Sequence, residues 1–174
     1  TVVEGLKVLG NDDPEITAIA VEKLQKEGLV IRQQTMVTSV EKRGKTGIRV
    51  HLKTQDSEDF IDGSHLLMAT GRAVNVSGLG LEQAGIDYDR RGIKVTNALR
   101  TTNRRAYAIG DVAGGLQFTH VAGYHAGLVI RGLLFRKKAV IDNHISPWAT
   151  YIDPEIAHVG MDETTAREKF EKIS

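Results

Sequence analysis

An aspartate at the end of a short apolar segment is one residue of this sequence that could hold a ligand. Residues 106–109 lead into Gly110 and Asp111, and Gly114 and Gly115 follow before an apolar helical stretch begins. This spacing suits a carboxylate that binds a sugar-like hydroxyl, while free N–H groups at the helix start face an electronegative ligand edge. It suits equally an aspartate that caps a helix or forms a turn. Both interpretations stay open at this point.

A second carboxylate, Glu4, directly follows two valines that predict a short buried strand. A carboxylate at the carboxyl end of a parallel strand can accept hydrogen bonds from the ribose of NAD, and it would repel the 2′-phosphate of NADP. The glycine-rich turn that would accompany this role would precede Thr1, so the sequence does not test it. A glutamate after two valines is also typical of a solvent-facing strand end.

A small-residue turn at residues 69–72, Ala-Thr-Gly-Arg, follows the apolar run 65–69. Gly71 has no Cβ, so the backbone there could approach a ligand closely. An ordinary turn at the exit of a strand has the same composition and is the alternative interpretation.

Composition excludes several classes of function. The 174 residues contain no cysteine, which excludes a disulfide framework, a thiolate zinc site and a cysteine nucleophile within the chain. With 23 basic and 22 acidic residues, the net charge of +1 gives no field for nucleic acid or an anionic membrane, and no apolar run reaches the ~18 residues of a membrane span. No serine-hydrolase elbow occurs, and no metal-binding spacing is found among His120, His125, His144 and His158.

Helices and strands must position these candidate residues. Asp13 and Pro14 predict the start of a helix that ends near Gly28, and Asp162 is predicted to cap a last helix. A short helix is expected at 81–84 and a longer one at 121–135. The expected strands are 2–3, 29–31, 36–40, 47–54, 57–61, 65–69, 93–95, 106–109, 148–151 and 155–160. This mixture predicts an α/β protein.

Five stretches together resemble the pyridine nucleotide–disulfide oxidoreductases, which include dihydrolipoamide dehydrogenase, glutathione reductase and mercuric reductase. These stretches are residues 3–4, 69–72, 108–112, 117–122 and 153–160. Residues 110–122 look most similar to mercuric-reductase-like members.

The resemblance implies a fragment of a flavoprotein with two dinucleotide-binding domains. Residues 1–67 would be the second half of the NAD(P)-binding domain with its β-meander. Residues 68–141 would be the C-terminal part of the FAD-binding domain, and residues 142–174 the start of an α+β dimerisation domain.

The same resemblance implies which residues bind the cofactors. Asp111, beside Gly110, would bond the ribityl chain of FAD, and four residues at the helix start would lie along the flavin: Gln117, Phe118, Thr119 and His120. Glu4 would hold the adenosine ribose of NAD, Gly71 would contact the nicotinamide cofactor through its backbone, and Val37 would lie beside the adenine.

The implied parent enzyme passes hydride from NAD(P)H through FAD to a cysteine pair and then to a small-molecule substrate. Glu4 favours NADH over NADPH. A mercuric-reductase-like parent is expected; the alternatives are a dihydrolipoamide-dehydrogenase-like parent and a non-catalytic module for dimerisation or partner binding. The expected parent is a cytoplasmic homodimer that contacts neither nucleic acid nor membrane.

Several parts of the family pattern are missing from this sequence. Both G-x-G-x-x-G motifs, the C-x-x-x-x-C pair and the late H-P-x-x-x-E segment do not occur, and residues 73–74 depart from the usual residues after Gly-Arg. We therefore expect a piece of a longer protein that holds no catalytic and no metal-binding residue and is inactive by itself.

Overall fold

The computed structural model describes residues 1–138, 140–142 and 146–170, and their contacts divide the chain into two units. The first unit comprises Thr1–Ala69, Ala149–His158 and the described residues from Asp162 onward. The second comprises the described residues of Thr70–Trp148 together with Val159–Met161. The chain combines three α-helices with nine strands in the described ranges, so the predicted α/β class is confirmed.

The first unit begins with two parallel strands joined through a helix. Its elements are β1 (Val2–Val3), α1 (Pro14–Lys26) and β2 (Ile31–Arg32). Asp13 caps α1, since its side chain accepts the Glu15 N–H at 2.8 Å, and Pro14 occupies the first turn as predicted. The strand expected at 29–31 begins two residues later than predicted.

A three-stranded antiparallel meander follows. It consists of β3 (Met36–Arg43), β4 (Gly47–Lys53) and β5 (Glu58–Gly63), in the order β3-β4-β5. Leu52 of the central strand is only 2% exposed. On the same sheet, the Arg49 guanidinium bonds the Asp62 carboxylate at 2.8 Å and lies 3.8 Å from the centre of the Phe60 ring. The meander expected from the sequence is confirmed.

The second unit is built around a hairpin, a tight turn and a helix. These are β6 (Tyr88–Asp89), β7 (Gly92–Ile93), a 3₁₀ turn at Gly110–Ala113 and α2 (Thr119–Phe135). Leu81, Ile93 and Ala108 form its buried cluster. Helix α2 buries one face at four- and three-residue spacing, through Val121, His125 and Leu128.

The last elements are β8 (Trp148–Thr150), β9 (Ile156–His158) and α3 (Glu163–Lys169); β8 pairs with β9. Lys23 of α1 contacts Asp153 at 2.6 Å in the first unit. Asp162 caps α3 as predicted, since its carboxylate accepts the Thr165 N–H at 2.6 Å. In the described ranges, every helix is too short or too polar to cross a bilayer.

Three expected elements do not form in the structure. Residues 65–69 form no strand and Leu67 is 88% exposed, because an apolar run becomes a strand only beside a partner strand. Residues 106–109 make only an isolated bridge between Tyr107 and Arg100. Residues 81–84 form turns rather than a helix, since Gly80 and Gly85 on either side have positive φ.

Candidate functional site

Arg72 joins three segments that are far apart in the sequence. Its Nη2 lies 2.8 Å from Oδ2 of Asp111, which is 39 residues away, and its Nη1 donates to the Gln117 carbonyl at 3.0 Å, 45 residues away. The turn at 69–72 and the Gly110-Asp111 pair are therefore one site. The sequence pattern predicts a close backbone approach at Gly71 and gives no role to the Arg72 side chain. The signal that was available is that Arg72 is the one charged side chain of that turn.

Asp111 lies in the 3₁₀ turn whose first residue is Gly110. Gly110 has φ of +65°, and a Cβ placed on it would lie 2.9 Å from the Ala122 Cβ of helix α2. Its N–H donates to Nδ1 of His125 at 3.1 Å in a buried environment, and the Gly114 N–H closes the turn on the Asp111 carbonyl at 3.0 Å. Helix α2 thus holds the backbone immediately before Asp111.

The backbone of the hairpin between β6 and β7 packs directly against the same turn. A Cβ placed on Gly92 would lie 2.5 Å from the Val112 carbonyl oxygen and 3.0 Å from the Gly114 nitrogen. Gly92 also has φ of +137°. Only a residue without a side chain allows the hairpin to approach the turn this closely.

The start of α2 leaves its first-turn N–H groups without a side-chain cap. Phe118, the residue before the helix, is extended and makes no capping hydrogen bond. Its ring stacks on His120, with centroids 5.4 Å apart, and His120 Nε2 lies 2.6 Å from the Pro147 carbonyl oxygen. Uncapped N–H groups at the positive end of a helix favour an electronegative ligand atom.

A cationic cleft lies beside Arg72. It has a volume of about 280 Å³ and is lined by Arg72, Val74, Arg90, Arg91, Gly115 and Gln117. Three guanidinium groups on one cleft favour an anionic or strongly polar ligand portion.

This set of groups fits the ribityl and flavin portions of FAD. Asp111 is 42% exposed, and in the described part of the chain its Oδ1 makes no hydrogen bond, so that oxygen can accept one from a polyol hydroxyl. Gly115 leaves open space where a side chain would stand. Asp111, Gln117 and the start of α2 would hold such a group.

His125 is a further residue of this region whose role the sequence did not show. It is 4% exposed, and burial lowers the pKa of its imidazole, which favours the neutral form. Since Nδ1 accepts the Gly110 N–H, the proton of that form resides on Nε2, which has no hydrogen-bond partner among the described residues. A histidine in a run of small apolar residues was the available signal of burial.

Six of the predicted site residues lie either in the 3₁₀ turn or at the start of α2. They are Gly110, Asp111, Gln117, Phe118, Thr119 and His120. Gly71, with φ of +102°, is exposed and precedes Arg72. His144 lies outside the described residues, as do 143, 145 and 171–174 of the predicted segment 142–174. The described residues contain no group of three side chains able to hold a metal ion.

Glu4 and Val37 belong to the first unit. Glu4 follows β1, and its Oε1 accepts the Leu6 N–H at 2.9 Å, which holds the carboxylate in the loop after the strand. Val37 lies on β3 opposite Leu52, next to a register irregularity, and is exposed.

Comparison with known proteins gives a consistent result. Residues 1–126 match the family model described as pyridine nucleotide-disulphide oxidoreductase. The chain is 38% identical to a mercuric reductase from Staphylococcus aureus, over 90% of this chain and 29% of that protein. It is 32% identical to a dihydrolipoyl dehydrogenase from Bacillus subtilis, over 92% of this chain and 34% of that protein.

A solved structure shows the same fold. The Cu(II) complex of the HOCl-induced flavoprotein disulfide reductase RclA from Escherichia coli aligns with a TM-score of 0.83 and 29% identity, over 95% of this chain and 38% of that chain. The 174 residues thus span roughly a third of the length of the proteins that they resemble.

Proposed function

Because the chain belongs to the pyridine nucleotide-disulphide oxidoreductase family, we propose that it forms the flavin-holding and nucleotide-holding segment of a longer FAD-dependent oxidoreductase. The observation that carries this proposal is the Arg72 bridge, which fixes the Asp111 carboxylate beside the start of α2. FAD, when bound, supplies the hydride-accepting and electron-passing chemistry. The 174 residues contain no cysteine and so do not supply the redox pair of this reaction.

The residues of this chain contribute binding and orientation. Asp111 accepts a hydroxyl hydrogen bond from the ribityl chain, and Arg72 holds its carboxylate in one direction. The first-turn N–H groups of α2, beginning at Thr119, face the electronegative edge of the flavin. Gln117, Phe118 and His120 line the same side, and Gly71 presents its backbone to the nicotinamide cofactor.

For the substrate, we propose the class used by mercuric reductases, a thiophilic metal ion reduced through the cysteine pair. The chain is 38% identical to a mercuric reductase and 32% identical to a dihydrolipoyl dehydrogenase, and the difference supports this choice. A thiol-linked substrate like that of dihydrolipoyl dehydrogenase is the second candidate, which the 32% identity to such an enzyme supports.

Other expectations stay predictions. These are the domain divisions at 67/68 and 141/142, a homodimeric parent and a cytoplasmic location. The position of Val37 beside the adenine is also a prediction, since it derives from the family resemblance.

Purification of the full-length protein tests the proposed function. We expect a yellow protein whose flavin absorbance bleaches when NADH is added without oxygen, and returns when Hg(II) is supplied in the presence of a thiol. Reoxidation by oxidised lipoamide instead would favour the second candidate. A colourless protein that binds no added FAD would contradict the proposal.

Glu4 is predicted to select NADH. In the full-length enzyme, Glu4→Gln should lower the ratio of kcat/KM for NADH to that for NADPH by about tenfold, because the like-charge repulsion of the 2′-phosphate is lost. The glutamine retains the oxygen that accepts the Leu6 N–H, so the loop is preserved. Glu41→Gln, on exposed strand β3, is the matched control and should leave the ratio unchanged. A wild-type preference for NADPH would show that the assignment is wrong.

A further inference from the structure

Helix α2 supports the residue before Asp111 at two points. His125 accepts the buried Gly110 N–H through Nδ1 at 3.1 Å, across 15 residues of sequence. One turn earlier on the helix, the Ala122 Cβ lies where it would be 2.9 Å from a Cβ at Gly110. Gly110 is therefore enclosed by the same helix on its N–H side and on its Cα side.

The conformation of Gly110 decides where Asp111 points. Its φ of +65° sets the direction of the chain at the first residue of the 3₁₀ turn, and a buried backbone N–H without an acceptor is costly. If the His125 acceptor were lost, Gly110 would be free to rotate toward another partner, and the Asp111 carboxylate would rotate with it. The ion pair with Arg72 holds the carboxylate itself, but the Arg72 side chain is 66% exposed, so this pair does not fix the backbone that carries Asp111.

We propose that His125 is a positioning residue, which fixes the direction of the Asp111 carboxylate by holding the Gly110 N–H through Nδ1. This inference rests on the proposed function, in which Asp111 binds FAD. It requires an unprotonated Nδ1, and the lowered pKa that burial gives His125 supports that state near neutral pH.

FAD affinity of the full-length apoprotein tests the proposal through a double-mutant cycle between positions 125 and 111. His125→Leu removes the acceptor and should weaken FAD binding about tenfold. The unsatisfied Gly110 N–H would turn toward another partner and carry the Asp111 carboxylate away from its position beside FAD. His125→Asn should stay within about threefold of wild type, since its Oδ1 can take the place of Nδ1. In an Asp111→Ala background, His125→Leu should change the affinity by less than about twofold, because His125 acts only through the contact between Asp111 and FAD.

His125→Gln keeps the test informative if the leucine variant does not fold. Its amide is polar and suits a helix, but it extends toward the position of Nε2 rather than Nδ1, so we expect FAD binding as weak as in the leucine variant. The melting temperature of each apoprotein, measured alongside, separates a loss of folding from a loss of affinity.

The outcomes distinguish the two claims. If Asp111→Ala leaves FAD affinity unchanged, the proposed role of Asp111 is wrong. If Asp111→Ala weakens binding while His125→Leu and His125→Gln bind like wild type, or lose the same factor in both backgrounds, the positioning role of His125 is overturned. Equal losses in the asparagine and glutamine variants would also overturn it.

Discussion

Replacing Asp111 by alanine should weaken FAD binding to the full-length protein by roughly 10- to 150-fold. The alanine removes a charged acceptor whose hydrogen bond is worth about 1.5–3 kcal/mol, and each 1.4 kcal/mol corresponds to about tenfold in affinity. It also leaves Arg72 without the carboxylate that holds it 2.8 Å away. Titration of the apoprotein with FAD, followed by flavin fluorescence, measures the loss.

Asp59 offers a matched control for this prediction. It forms an Arg–Asp pair with Arg32 at 2.6 Å, and its side chain is 52% exposed against 42% for Asp111. Exposed pairs of this kind contribute about 0–1 kcal/mol to stability, so neither variant should lower the melting temperature much. Asp59→Ala should bind FAD like wild type. Equal losses of affinity in the two variants would contradict a specific role for Asp111.

Gly92→Ala should destabilise the protein by about 2–6 kcal/mol, since two costs combine. A φ of +137° costs a residue with a side chain about 1–3 kcal/mol, and forcing a methyl group into filled space costs about 1–3 kcal/mol. The new Cβ would meet the Val112 carbonyl oxygen at 2.5 Å, and this backbone atom cannot rotate away as a flexible side chain could. Urea unfolding of the full-length wild type and variant gives the difference in their free energies of unfolding.

Gly115→Ala separates these two costs. Gly115 also has positive φ, at +77°, but nothing lies within 4 Å of the Cβ that alanine would add. This variant should lose only the conformational cost, about 1–2 kcal/mol. If both alanine variants were equally stable, the close approach of the hairpin to the Val112 carbonyl would not be the cause of the stability lost in Gly92→Ala.

Elements with local signals could be predicted from the sequence. Helices α1 and α3 each begin after a capping aspartate, Asp13 and Asp162, and the meander strands are separated by polar turns. Caps and turns act within a few residues, so their patterns are visible in a short window. Residues 65–69 have an equally clear apolar pattern, but a strand also needs a partner, which a short window does not contain.

The candidate site divides in the same way. Gly110, Asp111 and the helix start at Thr119 are close in sequence, and the structure holds them in one turn and one helix end. The contacts of Arg72 with Asp111 and of His125 with Gly110 join residues 39 and 15 positions apart. No local pattern encodes such pairs, because they depend on how the loop between them closes.

The Arg72 bridge also bears on the order in which the proposed flavin site is completed during synthesis. Arg72 leaves the ribosome before Asp111, and Gln117 leaves after both. The guanidinium therefore lacks its carboxylate partner until 39 further residues have been made, and its carbonyl partner until 45 have been made. Contacts of this span form late, after local helices and hairpins. A growing chain that ends before Gln117 therefore has at most one of the two Arg72 contacts, and we expect the proposed flavin site to be complete only after α2 has been translated.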